Sequence, residues 1–462
     1  MKRGLPQSAN ILAARGARRS GRPPTFGGSA GLFCGRYLPL VNAPVFSYSA
    51  HMLVTEKLPN GLTLLVEEIP HLESAAYDLL IPGGILTDQD GHEGACSVLA
   101  ELSCRGAGNL DSKALSDAFD DAGIRHGEGA ATDRFSYRGS LLADKLPLAL
   151  SLVGQMVLDP ALPEDEIESI QSLMLQDIRA LEDSPARKAM MELGLRYYPH
   201  PYSRSSLGTI EGITAATAAH LRTEWERLYR PDGAILSIAG KVDPQSVIAE
   251  VKKHFSDWQG TAVELPAYGT PPKHEAFHIH SDSAQLQIAL AYPSVKFGDP
   301  LYYAAKVASG LLSGGMFGRL FIEVREKRGL CYSVYCRHHA TMDYGTVVAY
   351  AGTTPERAHE TLDVMVNVLR SVAGTVGAEE FARAKANLKS SLVISEESAG
   401  ARASSNCSDY WLLKRVRSID EILTQIDNVT PAEVDQYFAT YPADSFMLLT
   451  LGAKKLDLPQ TK

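Results

Sequence analysis

The chain has 462 residues, is 45% hydrophobic and 21% charged, and carries a formal net charge of −9. That length exceeds one ordinary core and implies two or three domains. The composition is that of a globular protein; no apolar run reaches the roughly 18 residues of a membrane span, and a net acidic chain gives no reason to expect a nucleic-acid partner.

The charge is unevenly placed. Residues 1–55 contain no Asp or Glu but carry Lys2, Arg3, Arg15, Arg18, Arg19, Arg22 and Arg36. An Arg-rich, acid-free stretch containing Gly, Pro and Ser fits a transit peptide, and equally a disordered tail or an over-long reading frame ahead of Met52. Residues 1–51 are therefore set apart as a leader. The expected compartment is the cytoplasm, or the mitochondrial matrix if the leader is a transit peptide. The cysteines at 34, 96, 104, 331, 336 and 407 form no C-x-x-C pair and are expected as reduced thiols.

The folded part opens near residue 52. LVTEKLPNGLTLLVEEI predicts a β-hairpin turning at Asn60-Gly61. AAYDLLIPGG is a buried strand ended by Gly83-Gly84. Residues 91–104 and 112–122 are predicted helices, and FSYRGSLL alternates as a strand. Two successive helices follow in LADKLPLALSLVGQMVL and PEDEIESIQSLMLQDIRALED, the second with acids at its start, where they suit the helix dipole. GAILSIAGKVD is a strand and PQSVIAEVKKHFSDW a helix. Residues 259–276 hold Pro266, Pro271 and Pro272 without helical period and read as a linker.

The second half repeats the order. Strands in FHIHSDSAQLQIALAYP precede helices around a Gly-rich break at 301–329. CYSVYCRHH and GTVVAYAGT are strands, PERAHETLDVMVNVLRSV and GAEEFARAKANLKSSLV are helices, and SFMLLTLGAKK matches GAILSIAGKVD. An order-preserving repeat of this length implies an α+β chain of two homologous domains, 52–258 and 277–458, joined by 259–276. The two are expected to face each other.

Several segments together give the chain a resemblance: LPNGLTLLVEE, the helix before Arg105-Gly106, LEDSP, HPYSRSSLGTIEGI at 200–213, RPDGAILSIAGKVD and GRLFIEVREKRGLCYSVY. Over about 52–458 the chain resembles the insulinase/pitrilysin (M16) metallopeptidases, in particular the short two-domain branch with the mitochondrial processing peptidases and their bacterial relatives. The resemblance implies two domains, each a mostly antiparallel sheet packed with helices, closing as a clamshell around an extended peptide. It implies a zinc helix bearing H-x-x-E-H, in which two His one turn apart hold the metal and the Glu is the general base. A third ligand, Glu, comes from a later helix. It also implies an Arg–Tyr pair in the second domain that holds substrate backbone near the scissile bond.

Carried onto this chain, the metal half is degenerate. The motif positions read Ser97-Val98-Leu99-Ala100-Glu101, and the later ligand position is Asp177. Zinc favours imidazole and thiolate, with carboxylate as a supplement, so Ser97, Glu101 and Asp177 make a poor zinc set that could at most hold Mg or Ca weakly. Ala100 cannot serve as a base. The substrate half is intact, with Arg325 and Tyr332 at the family positions, although a local packing role would place the same two residues there. No metal or other cofactor is expected in this chain. The implied role is a substrate-binding subunit that grips an extended peptide and pairs, as a heterodimer, with a zinc-bearing M16 partner. Two alternatives stay open: an active zinc endopeptidase with atypical ligands, and a scaffold like the family members that became respiratory core proteins.

Other motifs carry weaker signals. His92 and Cys96 have zinc-like spacing, but Gly91 and Gly94 bracket the helix start. Cys96 and Cys104 stand over two turns apart. His278 and His280 share a strand face, whereas His338 and His339 point oppositely. Ser309–Gly315 is Gly-rich but lacks the G-K-[ST] ending of a phosphate loop and reads as a flexible break between helices.

Overall fold

The computed structural model describes residues 52–458, so the leader and its targeting reading lie outside the described residues. β1 (Met52–Lys57) and β2 (Thr63–Glu68) form the expected antiparallel hairpin. Gly61 turns it at φ +100°, where a Cβ would stand 2.9 Å from Asp232 Cα; both the left-handed backbone and the close approach require glycine. The Asn60 amide instead donates to the carbonyls of Phe255 and Trp258 at 2.7 and 3.0 Å.

β3 (Ser74–Pro82) leads to α1 (Ala95–Leu102), a two-residue ladder of β4 (Gly106–Ala107) with β5 (Leu110–Asp111), and α2 (Ser112–Asp121). β6 (Arg125–Ala130) and β7 (Arg134–Leu142) follow. Then come α3 (Leu146–Leu158), α4 (Glu164–Arg179), α5 (Pro185–Tyr197), α6 (Ile210–Ala215), α7 (Ala218–Leu228), β8 (Ile235–Gly240) and α8 (Pro244–Phe255). Residues 259–275 are irregular. The second half comprises β9 (Ala276–His280), β10 (Leu286–Ser294), α9 (Tyr302–Ser313), β11 (Cys331–Ala340), β12 (Gly345–Thr353), α10 (Ala358–Arg370), α11 (Ala378–Ser395), α12 (Ala399–Leu413), α13 (Ile419–Asn428), α14 (Pro431–Thr440) and β13 (Met447–Gly452). No helix among the described residues is long and apolar enough to cross a membrane.

The duplication is visible in the wiring. The first sheet runs β1-β2-β8-β3-β7-β6 and the second β9-β13-β10-β12-β11. The parallel pair β2·β8 is repeated by β9·β13, and the antiparallel pairs β8·β3, β3·β7 and β7·β6 by β13·β10, β10·β12 and β12·β11. β1 is the one strand of the first sheet without a counterpart in the second. The free edges β6 and β11 are equivalent under the repeat.

Each sheet buries both faces, as strand alternation requires. Leu79 and Ile81 of β3 and Leu236 and Ile238 of β8 join the first core with Val98, Leu102, Leu150 and Val153 from the helices. Their neighbours Ala76, Leu80, Ile235 and Ala239 face the other way and meet Ala399, Ala403 and Cys407 of α12, a helix of the second half. Reciprocally, Ala189, Leu193 and Tyr197 of α5, from the first half, pack on Ala289, Met447 and Leu449 of the second sheet. The halves therefore exchange a helix. Burying a leucine or methionine of these joints contributes about 1.5–3 kcal/mol, an alanine less.

The α5 joint is apolar, whereas the α12 joint is also ionic. Arg402 bonds Glu67 and Glu396, and Asn406 Nδ2 donates to Glu67 at 2.6 Å. Ser404 donates to Asp78 at 2.7 Å, and Arg138 donates to the same carboxyl. Burial, opposed by those bonds, raises the Asp78 pKa.

Candidate functional site

α1 is seated by residues outside it. Its N-cap is Gly94, at φ 107°, which offers no side chain to the first turn. Buried Asp88 takes that role, accepting from the amides of Gly94 and Cys96 at 2.8 and 2.9 Å. The segment 205–212, inside HPYSRSSLGTIEGI, backs the same turn. A Cβ on Gly208 or Gly212 would stand 2.6 or 2.5 Å from the Glu93 carbonyl oxygen, so only glycine lets the two stretches meet.

Ser97 and Glu101, one turn apart on α1, converge with Asp177 of α4 on one cavity of about 300 Å³, walled by Ile170, Leu173, Met174, Ser206 and Leu207. The expected positions are thus brought together. Ala100 does not line this cavity and is 0% exposed. The Glu101 carboxylate is bonded to Arg105 at 2.5 Å.

Arg325 and Tyr332 meet in the second half. Residues Phe321–Glu326 form a π-helical turn, and the Arg325 guanidinium lies 4.9 Å from the centroids of both Phe321 and Tyr332. Tyr332 is 81% exposed at the start of the edge strand β11. Arg325 has no carboxylate partner among the described residues. The pair does not line the cavity at Ser97, Glu101 and Asp177.

A family profile described as Insulinase (Peptidase family M16) matches residues 63–209, and one described as Peptidase M16 inactive domain matches residues 215–388. The chain belongs to peptidase family M16. A protein of Mycobacterium tuberculosis named as an uncharacterized zinc protease is 29% identical over 412 residues, covering 87% of this chain and 94% of that one. A protein of Bacillus subtilis named as the uncharacterized zinc protease YmxG is 25% identical over 382 residues, covering 81% and 92%. A crystal structure titled peptidase M16 inactive domain, from Pseudomonas fluorescens, matches at TM-score 0.81 and 23% identity over 89% of this chain and 100% of that one. A protease from Helicobacter pylori matches at 0.79 and 20%, over 87% and 99%. At these identities the structural likeness speaks to the fold.

An M16 zinc centre needs imidazoles at the first two positions. Here the donors are a hydroxyl, a carboxylate already held by a guanidinium, and a second carboxylate, a set that does not fit zinc. Among the described residues, no group of three or more His, Cys, Asp or Glu is placed to hold a metal ion. His92 precedes α1 and its ring packs at 4.1 Å on His220 of α7; Cys96 lies against Thr87 Oγ1 at 3.6 Å. His278 bonds Thr450, and His280 pairs with Asp282. His338 is buried and His339 exposed, on opposite faces of β11. Residues 309–313 continue α9, so the Gly-rich break is confined to the turn after it. Cys96, Cys104, Cys331, Cys336 and Cys407 are free thiols.

Sequence reasoning missed three contributors: Arg105, the cavity wall at Ser206 and Leu207, and the edge strand β6 packed beside α1. The first two lay inside quoted motifs. β6 reads RHGEGA, whose glycines and charges hide a strand.

Proposed function

We propose that this chain is a zinc-lacking M16 protein that holds an extended peptide and serves a zinc-bearing M16 partner, where the zinc and the general base reside. The observation that carries the reading is the donor set at Ser97, Glu101 and Asp177, with Ala100 where the base would stand. It leaves a cavity of the right place and the wrong chemistry for metal-assisted hydrolysis. Two features support peptide holding. β6 is a free sheet edge beside α1, where an extended chain adds as a further strand through main-chain hydrogen bonds. Arg325 and Tyr332 present a cation and a phenol at an exposed edge of the second sheet, suited to grip a peptide carbonyl. The zinc-protease names of the relatives fit the same scheme, with cleavage assigned to the partner.

The test pairs metal analysis with a cleavage assay. The purified chain should contain well under one zinc and cut no peptide alone. Mixed with a zinc-bearing M16 protein of the same organism, it should form a larger species by light scattering and raise peptide hydrolysis. Arg325→Ala should remove most of that stimulation without changing the size of the complex. Stoichiometric zinc with chelator-sensitive cleavage by the isolated chain would reverse the assignment.

A further inference from the structure

A cavity of about 810 Å³ opens where four segments meet: the turn joining β6 to β7, the turn joining β11 to β12, the end of α12, and residues 265–267 of the linker. The two turns are equivalent under the repeat. The first half, the second half and the segment between them therefore all supply wall. Ser97, Glu101 and Asp177 lie outside this lining, as do Arg325 and Tyr332. The frame is held by its own contacts. Tyr202 Oη donates to the Pro266 carbonyl at 3.0 Å, and Tyr268 stacks on Tyr344 with ring centroids 4.4 Å apart. The linker is thus tied to both halves, and a wall already ordered costs little to arrange around a guest.

The charges of the lining divide into a spent pair and an unspent one. Asp133 accepts from Arg134 Nη1 at 2.8 Å and from Trp411 Nε1 at 2.9 Å, which neutralises the carboxylate and orients the indole. Lys414 ends α12 in the left-handed conformation, at φ 57°, and Asp343 stands in the β11–β12 turn. Both are exposed residues of the cavity, and neither has an ion-pair partner among the described residues, the other included. The Lys414 amine lies 5.4 Å from the Trp411 ring. Burial and the neighbouring Lys57 push its pKa down, the direction of an amine without a counter-ion. The Asp343 carboxylate meets only the Tyr202 hydroxyl, at 3.4 Å. Leu265, Met342, Leu412 and Leu413 add apolar wall beside Trp411 and Tyr344. A guest with a carboxylate alone would answer Lys414 and leave Asp343; one with an amine alone would do the reverse. A guest carrying both charges on a ring answers the whole lining.

We propose that this cavity binds a small aromatic zwitterion, of the class of a free aromatic amino acid, with its carboxylate at Lys414 and its ammonium at Asp343. The site is separate from the peptide-holding surfaces and does not depend on them. Because the guest touches both halves and the linker, its binding also stabilises the joined state and raises the melting temperature with ligand concentration.

The experiment titrates the full chain calorimetrically with tryptophan, indolepropionate, tryptamine, N-acetyltryptophanamide and leucine. Tryptophan should bind about three- to fivefold more tightly than indolepropionate, which lacks the amine, or tryptamine, which lacks the carboxylate. The doubly blocked amide and the ringless leucine should also bind more weakly than tryptophan. Lys414→Met should bring tryptophan down to the affinity of tryptamine, and Asp343→Asn to that of indolepropionate. Free benzoylphenylalanine, itself an aromatic zwitterion, should photocrosslink to Met342 or Leu412 of the unmodified chain, a readout that needs no variant to fold. Absence of tryptophan binding, equal affinities across the series, or crosslinking confined to Met174 or Met190 would overturn the proposal. Each of those outcomes would leave the peptide-holding reading standing, since that is read from a partner's cleavage.

Discussion

Arg402 of α12 reaches across to Glu67 of β2 at 3.0 Å, with side chains 9% and 4% exposed. One residue belongs to the second half and the other to the first sheet, so this ion pair pins the halves together inside the protein. Removing the cation leaves the Glu67 and Glu396 carboxylates without the charge they share. Arg402→Ala should cost about 3–5 kcal/mol in denaturant unfolding. Arg138→Ala, which removes a guanidinium 56% exposed, should cost much less. Equal costs for the two would refute a buried clamp.

The degenerate cavity predicts how metal binding and hydrolysis separate. The triple variant Ser97→His, Glu101→His, Asp177→Glu supplies two imidazoles and a carboxylate in place of the present set, and frees Arg105. It should gain about one zinc per chain by metal analysis yet cut no peptide, because Ala100 offers no base. Adding Ala100→Glu should lower the melting temperature, since that position is 0% exposed and the new carboxylate would be buried.

The cap on α1 is testable alone. Asp88→Ala deletes the acceptor of two buried amides and should destabilise the protein by about 1–3 kcal/mol. Hydrogen exchange should rise first at Gly94–Val98. Unchanged exchange there would argue that the Gly208 segment alone seats the helix.

His338 gives a signed pH dependence. Burial, opposed by its bond to the Val295 carbonyl, pushes its pKa down to about 4 from 6.5. The unfolded chain therefore takes up a proton first as pH falls below about 6.5, and the native state follows only near 4. Stability is lost across that window, about 2 kcal/mol of it between pH 7 and pH 5. His338→Gln should flatten this part of the profile in urea titrations, and an unchanged slope would assign the acid sensitivity elsewhere.

The repeat of strands and helices was legible because each half obeys the ordinary periods: alternation in FSYRGSLL, acids at the start of α4, a buried run in ILSIAG. The exchanged helices were not. α12 buries Ala399, Ala403, Arg402, Asn406 and Asp409, a face whose small and polar residues give no apolar stripe. α5 is amphipathic only toward a sheet more than 80 residues later in the sequence, a contact that spacing cannot announce. The candidate site was readable by register, since Ser97, Glu101 and Asp177 do share a cavity. The salt link from Glu101 to Arg105 depends on rotamers and needed coordinates.

The crossing of α5 and α12 has a practical corollary. Cutting the polypeptide within 259–275 would not release two autonomous modules, because each fragment would keep a helix shaped for its neighbour and expose the sheet face that helix covers. Fragments expressed separately should aggregate or recombine, and when mixed they should rebuild the parent fold by trading α5 for α12.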